Sequence, residues 1–450
     1  MSTEIPPVET PLATSDAASA AQRVFRGAYS LILNTALTAA LGLAFWVVAA
    51  RLYSPADVGR DSALISAMMA LSAICGLNLQ NVLLRFLPTW RRRPGRALLS
   101  AYALAALATT LGASVFILLM PKVSGEFGVL AERPEFAALY GAATAAWTVF
   151  FMQDAVLTAL RRAAWVPVEN AGYGVLKLAA LFGMVAVGAK NGVFIAWVVP
   201  MMLLLVPVNY LIFRRLLPGH AAQRRTVAAA PPLMDRRSLR FVSLDSAGFA
   251  LNYAALWLAP LLVIALLGSD ANAYFYIPFT IVVTFDLLFL NVAASLVVEG
   301  AHDETAIPYL VRSAVRRFAP LLLLGVLVLV LGAPLILAAF SPEYAREGSD
   351  VLRLMALGSL FRGIMVLFIA IQRLRRLGGA ILLIQSTFCG LLLGLMVLLA
   401  DPLGINGVGL AWLIATGMGA LLATPTVVRF LREGEPGRAT NGDSLPHVPA

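Results

Sequence analysis

Charge is scarce in this sequence. Only 13% of its 450 residues are Asp, Glu, Lys or Arg, against about 25% in an ordinary soluble domain. Cysteine occurs twice, at Cys75 and Cys389, both inside apolar runs, which excludes a disulfide framework and a cysteine metal site. The three histidines, His220, His302 and His447, fall in connections or the tail, so no cluster of them can hold a metal or serve as a catalytic base. No G-x-x-x-x-G-K-[ST] string is present, and an ATP-driven motor within the chain is excluded with it. The opening MSTEIPPVETPLATSDAASAAQ has neither a basic n-region nor an apolar h-region and does not read as a cleavable signal peptide. Residues 1–22 and 431–450 read as polar, disordered tails.

Hydrocarbon is abundant. Sixty per cent of the residues are hydrophobic and the mean hydropathy is +0.84. Apolar runs of about 20 residues, each long enough to cross a hydrocarbon core of about 30 Å, recur between residues 28 and 430. They predict an all-α polytopic membrane protein with about 12 spans, at 28–50, 62–84, 97–121, 136–160, 171–188 and 192–213, then 241–266, 274–297, 318–340, 351–371, 379–400 and 405–428. The net charge of +10 does not point to nucleic acid, because the basic residues sit in short clusters between apolar runs, facing lipid headgroups. With a cytoplasmic N-terminus, most of the 34 Lys and Arg fall on the cytoplasmic side, including TWRRRPGR, Arg161, Arg162, the arginines of the 214–240 linker, and Arg312, Arg316 and Arg317. This asymmetry predicts that both termini are cytoplasmic.

The chain also repeats itself. Asn191, Gly192, Val193, Ala196 and Trp197 of NGVFIAWVV recur as Asn406, Gly407, Val408, Ala411 and Trp412 of NGVGLAWLI, every one displaced by the same interval, close to half the chain. The same interval lays LYSPA at 52–56 on LGSDA at 267–271. Two copies of a six-span unit explain both matches: bundles at 23–213 and 241–430, joined by a basic cytoplasmic linker at 214–240. Six is even, so the copies are parallel, related by an axis along the membrane normal, with a site expected between them.

The stretch AARLYSPADVGRDSAL, from Ala49 to Leu64, carries Leu52, Pro55, Asp57 and Gly59 in the spacing of a first outer turn. The stretch FSPEYAREGSDVLRLMALG, from Phe340 to Gly358, leads through Tyr344 into a Leu-rich helix, with Ser341 where Gly is usual. Together they resemble the bacterial polysaccharide-biosynthesis family of O-antigen translocase type, the lipid-linked oligosaccharide flippases of the multidrug/oligosaccharidyl-lipid/polysaccharide exporter superfamily. The resemblance implies a MATE-like, V-shaped pair of bundles in the bacterial inner membrane, with a cationic central cavity lined by helices 1, 2, 7 and 8. It implies a cargo, a polyprenyl-pyrophosphate-linked oligosaccharide moved from the cytoplasmic to the outer leaflet. It implies no catalysis and no cofactor beyond a coupling H⁺ or Na⁺. The implied partners are membrane lipids, the glycan substrate, and the polysaccharide polymerase and chain-length machinery.

On that frame Asn78, Asn81 and Arg85 share a helix face at the end of span two. Arg85 could fork onto a phosphate while the Asn pair binds sugar hydroxyls, or Arg85 could snorkel to the interface and the Asn residues hold helices together. Ser30, Asn34 and Thr38 form a similar stripe on span one. Arg362 and Asp286 lie near the middle of their spans, where a lone charge costs at least about 2.5 kcal/mol. Either Arg362 attracts pyrophosphate and Asp286 couples an ion, or the two pair with each other. Lys177 is a further substrate-binding candidate, within snorkelling reach of the interface. Asp154, close ahead of Arg161 and Arg162, and Asp245, which shares a face with Asn252, complete the ion-coupling and substrate-binding candidates.

Two rivals remain. A cation-coupled multidrug exporter of the same superfamily wants an acidic, aromatic cavity. A membrane-embedded glycan polymerase or ligase wants a substantial outer loop, and every outer loop here is short.

Overall fold

The computed structural model describes residues 38–76, 79–87, 94–162, 164–218, 236–300 and 307–433; the side chains of residues 81, 85, 86 and 298–300 are also outside that description. Its long helices are α1 (Thr38–Leu52), α2 (Pro55–Cys75, followed by a short helix at Leu79–Phe86), α3 (Pro94–Val123), α4 (Pro134–Ala159), α5 (Trp165–Ala186), α6 (Gly192–Leu216), α7 (Arg236–Leu267), α8 (Ser269–Gly300), α9 (Ile307–Ala338) and α10 (Pro342–Leu374); as described, each except the shorter α1 and the less apolar α5 is long and apolar enough to cross a membrane. A last continuous helical stretch, Gly378–Glu433, is broken at Gly404 (φ 57°, ψ −144°) into α11 (378–403) and α12 (405–433). Among the described residues these twelve helices stand in the order of the twelve expected spans.

Local chemistry starts these helices where it should. Ser54 caps α2 by accepting the Asp57 amide at 3.2 Å, with Pro55 in the first helical position, where its missing N–H costs nothing. Ser341 caps α10 in the same way, accepting the Tyr344 amide at 3.4 Å ahead of Pro342. Several helices outrun their apolar stretches. Helix α9 begins at Ile307 rather than 318, because Arg312, Arg316 and Arg317 extend it through the headgroup region, where charged side chains are solvated.

Within the first half, α4 packs on α2, α3 and α6, and α5 packs on α6. Within the second, α10 packs on α8, α9 and the α11–α12 stretch, which also contacts α7. Helix α2 joins the halves by packing against both α7 and α8. The outward faces are hydrocarbon: Leu99, Leu107, Leu111 and Leu118 on α3 and Leu324, Leu331 and Leu335 on α9 are each more than half exposed. Patches of that extent do not survive in water; a multi-pass membrane protein turns them to lipid.

The repeated Asn-Gly turn has a structural reason. Asn191 takes a left-handed conformation (φ 57°) and donates its Nδ2 to the buried Asp61 carboxylate at 2.8 Å, and the Asp61 carboxylate also accepts the Phe194 amide at 3.0 Å. A Cβ on Gly192 would stand 3.1 Å from the Met184 Cβ and far closer to the Tyr53 hydroxyl. In the second copy the left-handed residue is Gly404, two places before Asn406, and a Cβ on Gly407 would collide with the Leu399 carbonyl at 2.0 Å. Close approach favours glycine in both copies, by the Tyr53 side chain and Met184 at Gly192 and by the backbone of the preceding helix at Gly407.

Candidate functional site

The halves meet along α2, α7 and α8, and the end of this seam near the 53–54 turn is closed. Gly59 lies so near α8 that a Cβ there would fall 1.8 Å from the Ser269 carbonyl oxygen. The buried Asn272 donates its Nδ2 to the Gly59 carbonyl at 2.7 Å and to the Ser62 hydroxyl at 3.2 Å. Glu126 ties in the connection after α3, accepting from Ser269 at 3.2 Å and pairing with Arg60 at 3.2 Å. Arg51 reaches across to the Ala339 carbonyl at 2.8 Å. Below these contacts Trp46 of α1 meets Tyr276 of α8 edge to face, centroids 4.8 Å apart.

Toward the basic end the seam holds a cleft of about 30 Å³, room for one water. Its walls include Ser72, Gln80, Thr148, Phe151, Phe249 and Tyr253. Thr148 donates to Ser72 at 3.0 Å, and Tyr253 stacks with Phe249 and Phe151 at 5.6 and 5.9 Å. The described residues around this cleft offer hydroxyls, an amide and aromatic faces, and no charge.

The membrane-embedded charges lie inside the two halves instead. Arg362 pairs with Asp286 at 2.9 Å, their side chains 8% and 6% exposed. The Arg362 guanidinium stands 5.1 Å from the Phe388 ring centroid and 5.5 Å from that of Trp412. Lys177 is buried, its Nζ 3.7 Å from the Trp197 ring, 5.0 Å from Tyr173 and 5.1 Å from Phe45. Tyr173 and Phe388 are related by the same repeat interval as Trp197 and Trp412. Each half therefore builds an aromatic nest from the same two repeat positions and places a cation in it. The cations differ in origin: Lys177 comes from α5, while Arg362 of α10 occupies the repeat position of Trp147, whose ring is 6.5 Å from Trp197.

The other candidates are dispersed. Asp245 pairs with Arg373 at 3.1 Å where α7 meets α10 near the basic end. Asn252 is half-buried, two turns further along α7. Asp154 of α4 lies against Asn170 of α5, with Glu169 beside it. Asn34 and Asn78 lie outside the described residues, as does Ser30, and the side chains of Asn81 and Arg85 are likewise undescribed. Sequence reasoning passed over Glu169, Asn272, Phe388 and the two aromatic nests. Extending the repeat register to Tyr173 and Phe388 was the signal available for the nests.

No protein-family profile and no curated sequence matches the chain. Solved structures do. The chain is similar to the inward-facing conformation of a multidrug resistance MATE family transporter of the MOP superfamily, with a TM-score of 0.67 and 15% identity over 89% of this chain and 96% of the other. It is similar to the lipid II flippase MurJ in an inward closed conformation, with a TM-score of 0.66 and 13% identity over 90% of each chain. A MOP superfamily transporter from Pyrococcus furiosus, described as having a binding pocket of reverse polarity, gives 0.59 and 14% over 93% and 97%. The likeness is one of fold: two six-helix bundles of the MATE type.

Proposed function

We propose that the chain is a flippase that moves a polyprenyl-pyrophosphate-linked oligosaccharide between membrane leaflets by alternating access of its two bundles. The observation that carries this reading is the neutral lining, among the described residues, of the cleft in the central seam. Ser72, Gln80 and Thr148 present hydroxyls and an amide, and Phe151, Phe249 and Tyr253 present ring faces. Sugars need that combination of hydrogen-bonding groups and flat apolar surface. An exporter of organic cations would want a carboxylate there; the mid-membrane carboxylate Asp286 is already committed to Arg362.

In this reading the protein sits in a bacterial inner membrane with the basic helix ends and both termini in the cytoplasm. The contacts around Gly59 close the outer side, and a pyrophosphate arriving from the cytoplasm would meet Arg85 and the arginines of TWRRRPGR, which follow α2 in the sequence. Asp154 is a candidate site for a coupling H⁺ or Na⁺, and Asp286 and Asp245 would serve as such only when their pairs with Arg362 and Arg373 open during the cycle; the membrane potential alone supplies about 2.3 kcal/mol per charge per 100 mV. A glycan delivered outside would pass to a polymerase and its chain-length machinery.

The test is reconstitution in vesicles with a short polyprenyl-pyrophosphate disaccharide bearing a fluorescent sugar. A membrane-impermeant reductant should quench the protected, inner-leaflet fraction progressively with protein and not without it. Loss of ethidium from preloaded vesicles, with the glycan fraction still protected, would replace the flippase reading by the exporter.

A further inference from the structure

A second cavity, of about 200 Å³, lies away from the central seam, between α4, α5 and α6 near their basic ends. Its apolar walls include Leu157 of α4, Trp165, Val168 and Gly172 of α5, and Leu204 and Val208 of α6. Val168 is 59% exposed and Trp165 45%, so the mouth opens on the lipid-facing surface. There is room beside Gly172, where a Cβ would meet nothing within 4 Å.

The cavity holds one ionisable group. Glu169 lines it at 6% exposure, and neither carboxylate oxygen meets a hydrogen-bond donor among the described residues. No ion pair with Lys or Arg engages it among those residues, and its ionisable neighbours, Asp154 and Tyr102, bring no positive charge. A buried carboxylate without donors is costly unless something supplies them. A hard metal ion is a poor fit, because it needs about six oxygen ligands and these walls are hydrocarbon.

We propose that this groove binds the protonated primary amine of a membrane-dissolved amphiphile, its alkyl chain along Leu204 and Val208 and its ammonium on Glu169. An ammonium brings three N–H donors to two unmet acceptors, and the indole of Trp165 at the mouth offers a cation-binding face. A quaternary amine has no N–H to give and a fatty acid brings a second negative charge, so both are disfavoured. The proposal rests on no part of the cargo assigned to the central seam.

Trp165 provides the reporter. The full chain in phosphatidylcholine nanodiscs is titrated with 3-(4-bromophenyl)propylamine, whose aryl bromine lies close enough to the ammonium to quench an indole beside it, and with 3-(4-bromophenyl)propan-1-ol as the neutral control. Wild type should show saturable quenching with the amine bound about tenfold more tightly than the alcohol, and Trp165→Phe should lose the saturable component. Glu169→Gln should bring the amine down to the alcohol's affinity. Gly172→Leu, which fills the groove and keeps the carboxylate, should abolish saturable quenching by both, and it carries the test alone if Glu169→Gln fails to fold. Equal binding of amine and alcohol to wild type, an amine preference that survives Glu169→Gln, or unchanged quenching in Gly172→Leu overturns the proposal. Repeating the titration with phosphatidylethanolamine added to the discs separates the sources: competition assigns the groove to an aminolipid headgroup, and undiminished binding assigns it to a free single-chain amine.

Discussion

At the scale of single residues, the two mid-membrane cations solve one problem differently. Arg362 is neutralised by Asp286 at 2.9 Å, whereas Lys177 is surrounded by three rings, with no carboxylate within salt-bridge distance among the described residues. The asymmetry predicts different responses to mutation. Removing one member of a buried pair leaves the other uncompensated, at a cost of about 3–5 kcal/mol, while replacing both by apolar residues of similar volume is often close to neutral. Arg362→Met and Asp286→Leu should each lower stability by that amount, and the double variant should lose much less than their sum. Denaturant unfolding in mixed micelles reads the cycle; additive losses would mean that the close approach carries no coupling. The pair was half legible in the sequence, since equal depth in two apolar runs permits a contact. What sequence could not supply was the rotation of α8 and α10 about their axes, which decides whether two groups at one depth face each other.

At the scale of elements, span number and order were legible because hydrocarbon thickness and helical rise leave little freedom. Helix starts at Ser54-Pro55 and Ser341-Pro342 were legible for the same kind of local reason. Glu169 was not: a carboxylate one turn into a helix beside an interface looks solvated, and only the packing of α4 and α6 over α5 buries it. Gly59 was visible as part of a motif, but its physical role is the contact of α2 with α8. Any side chain at 59 must push Ser269 away, and the collision is with backbone, which no rotamer change relieves. Gly59→Val should therefore open the seam at this end. Spin labels on Asp57→Cys and Asp270→Cys, with Cys75 and Cys389 changed to Ser, should show a distance distribution moved to longer values than in the Gly59 parent. An unmoved distribution would mean that α2 and α8 slide past each other without parting.

At the scale of the whole molecule, the proposed flippase would hold the closed end and the narrow cleft beneath it as one of its two states. The described cleft in the seam is narrow, about 30 Å³, and the contacts around Gly59 close its far end, so passage of a sugar between the halves at that end requires them to separate. The polar part of their attachment at the closed end is a few hydrogen bonds, Asn272 to Gly59 and Ser62, Arg51 to Ala339 and Glu126 to Ser269, beside the apolar contact of Trp46 with Tyr276. Net hydrogen bonds of this kind contribute about 0.5–1.5 kcal/mol each, an amount that cargo binding or membrane potential can offset. A covalent bond at the same place cannot be offset. Ser62→Cys with Asn272→Cys, in a background lacking Cys75 and Cys389, places two thiols across the seam where the native side chains already approach to 3.2 Å. Oxidation should arrest quenching of the fluorescent polyprenyl-pyrophosphate disaccharide in vesicles, and a reductant should restore it, with the reduced double variant near the parent rate. The fraction cross-linked, read by gel mobility after cleavage in the 219–235 linker, should equal the fraction of activity lost. Undiminished translocation by fully cross-linked protein would show that the halves need not part at Gly59, and cargo would then have to pass along the lipid-facing surface rather than between them.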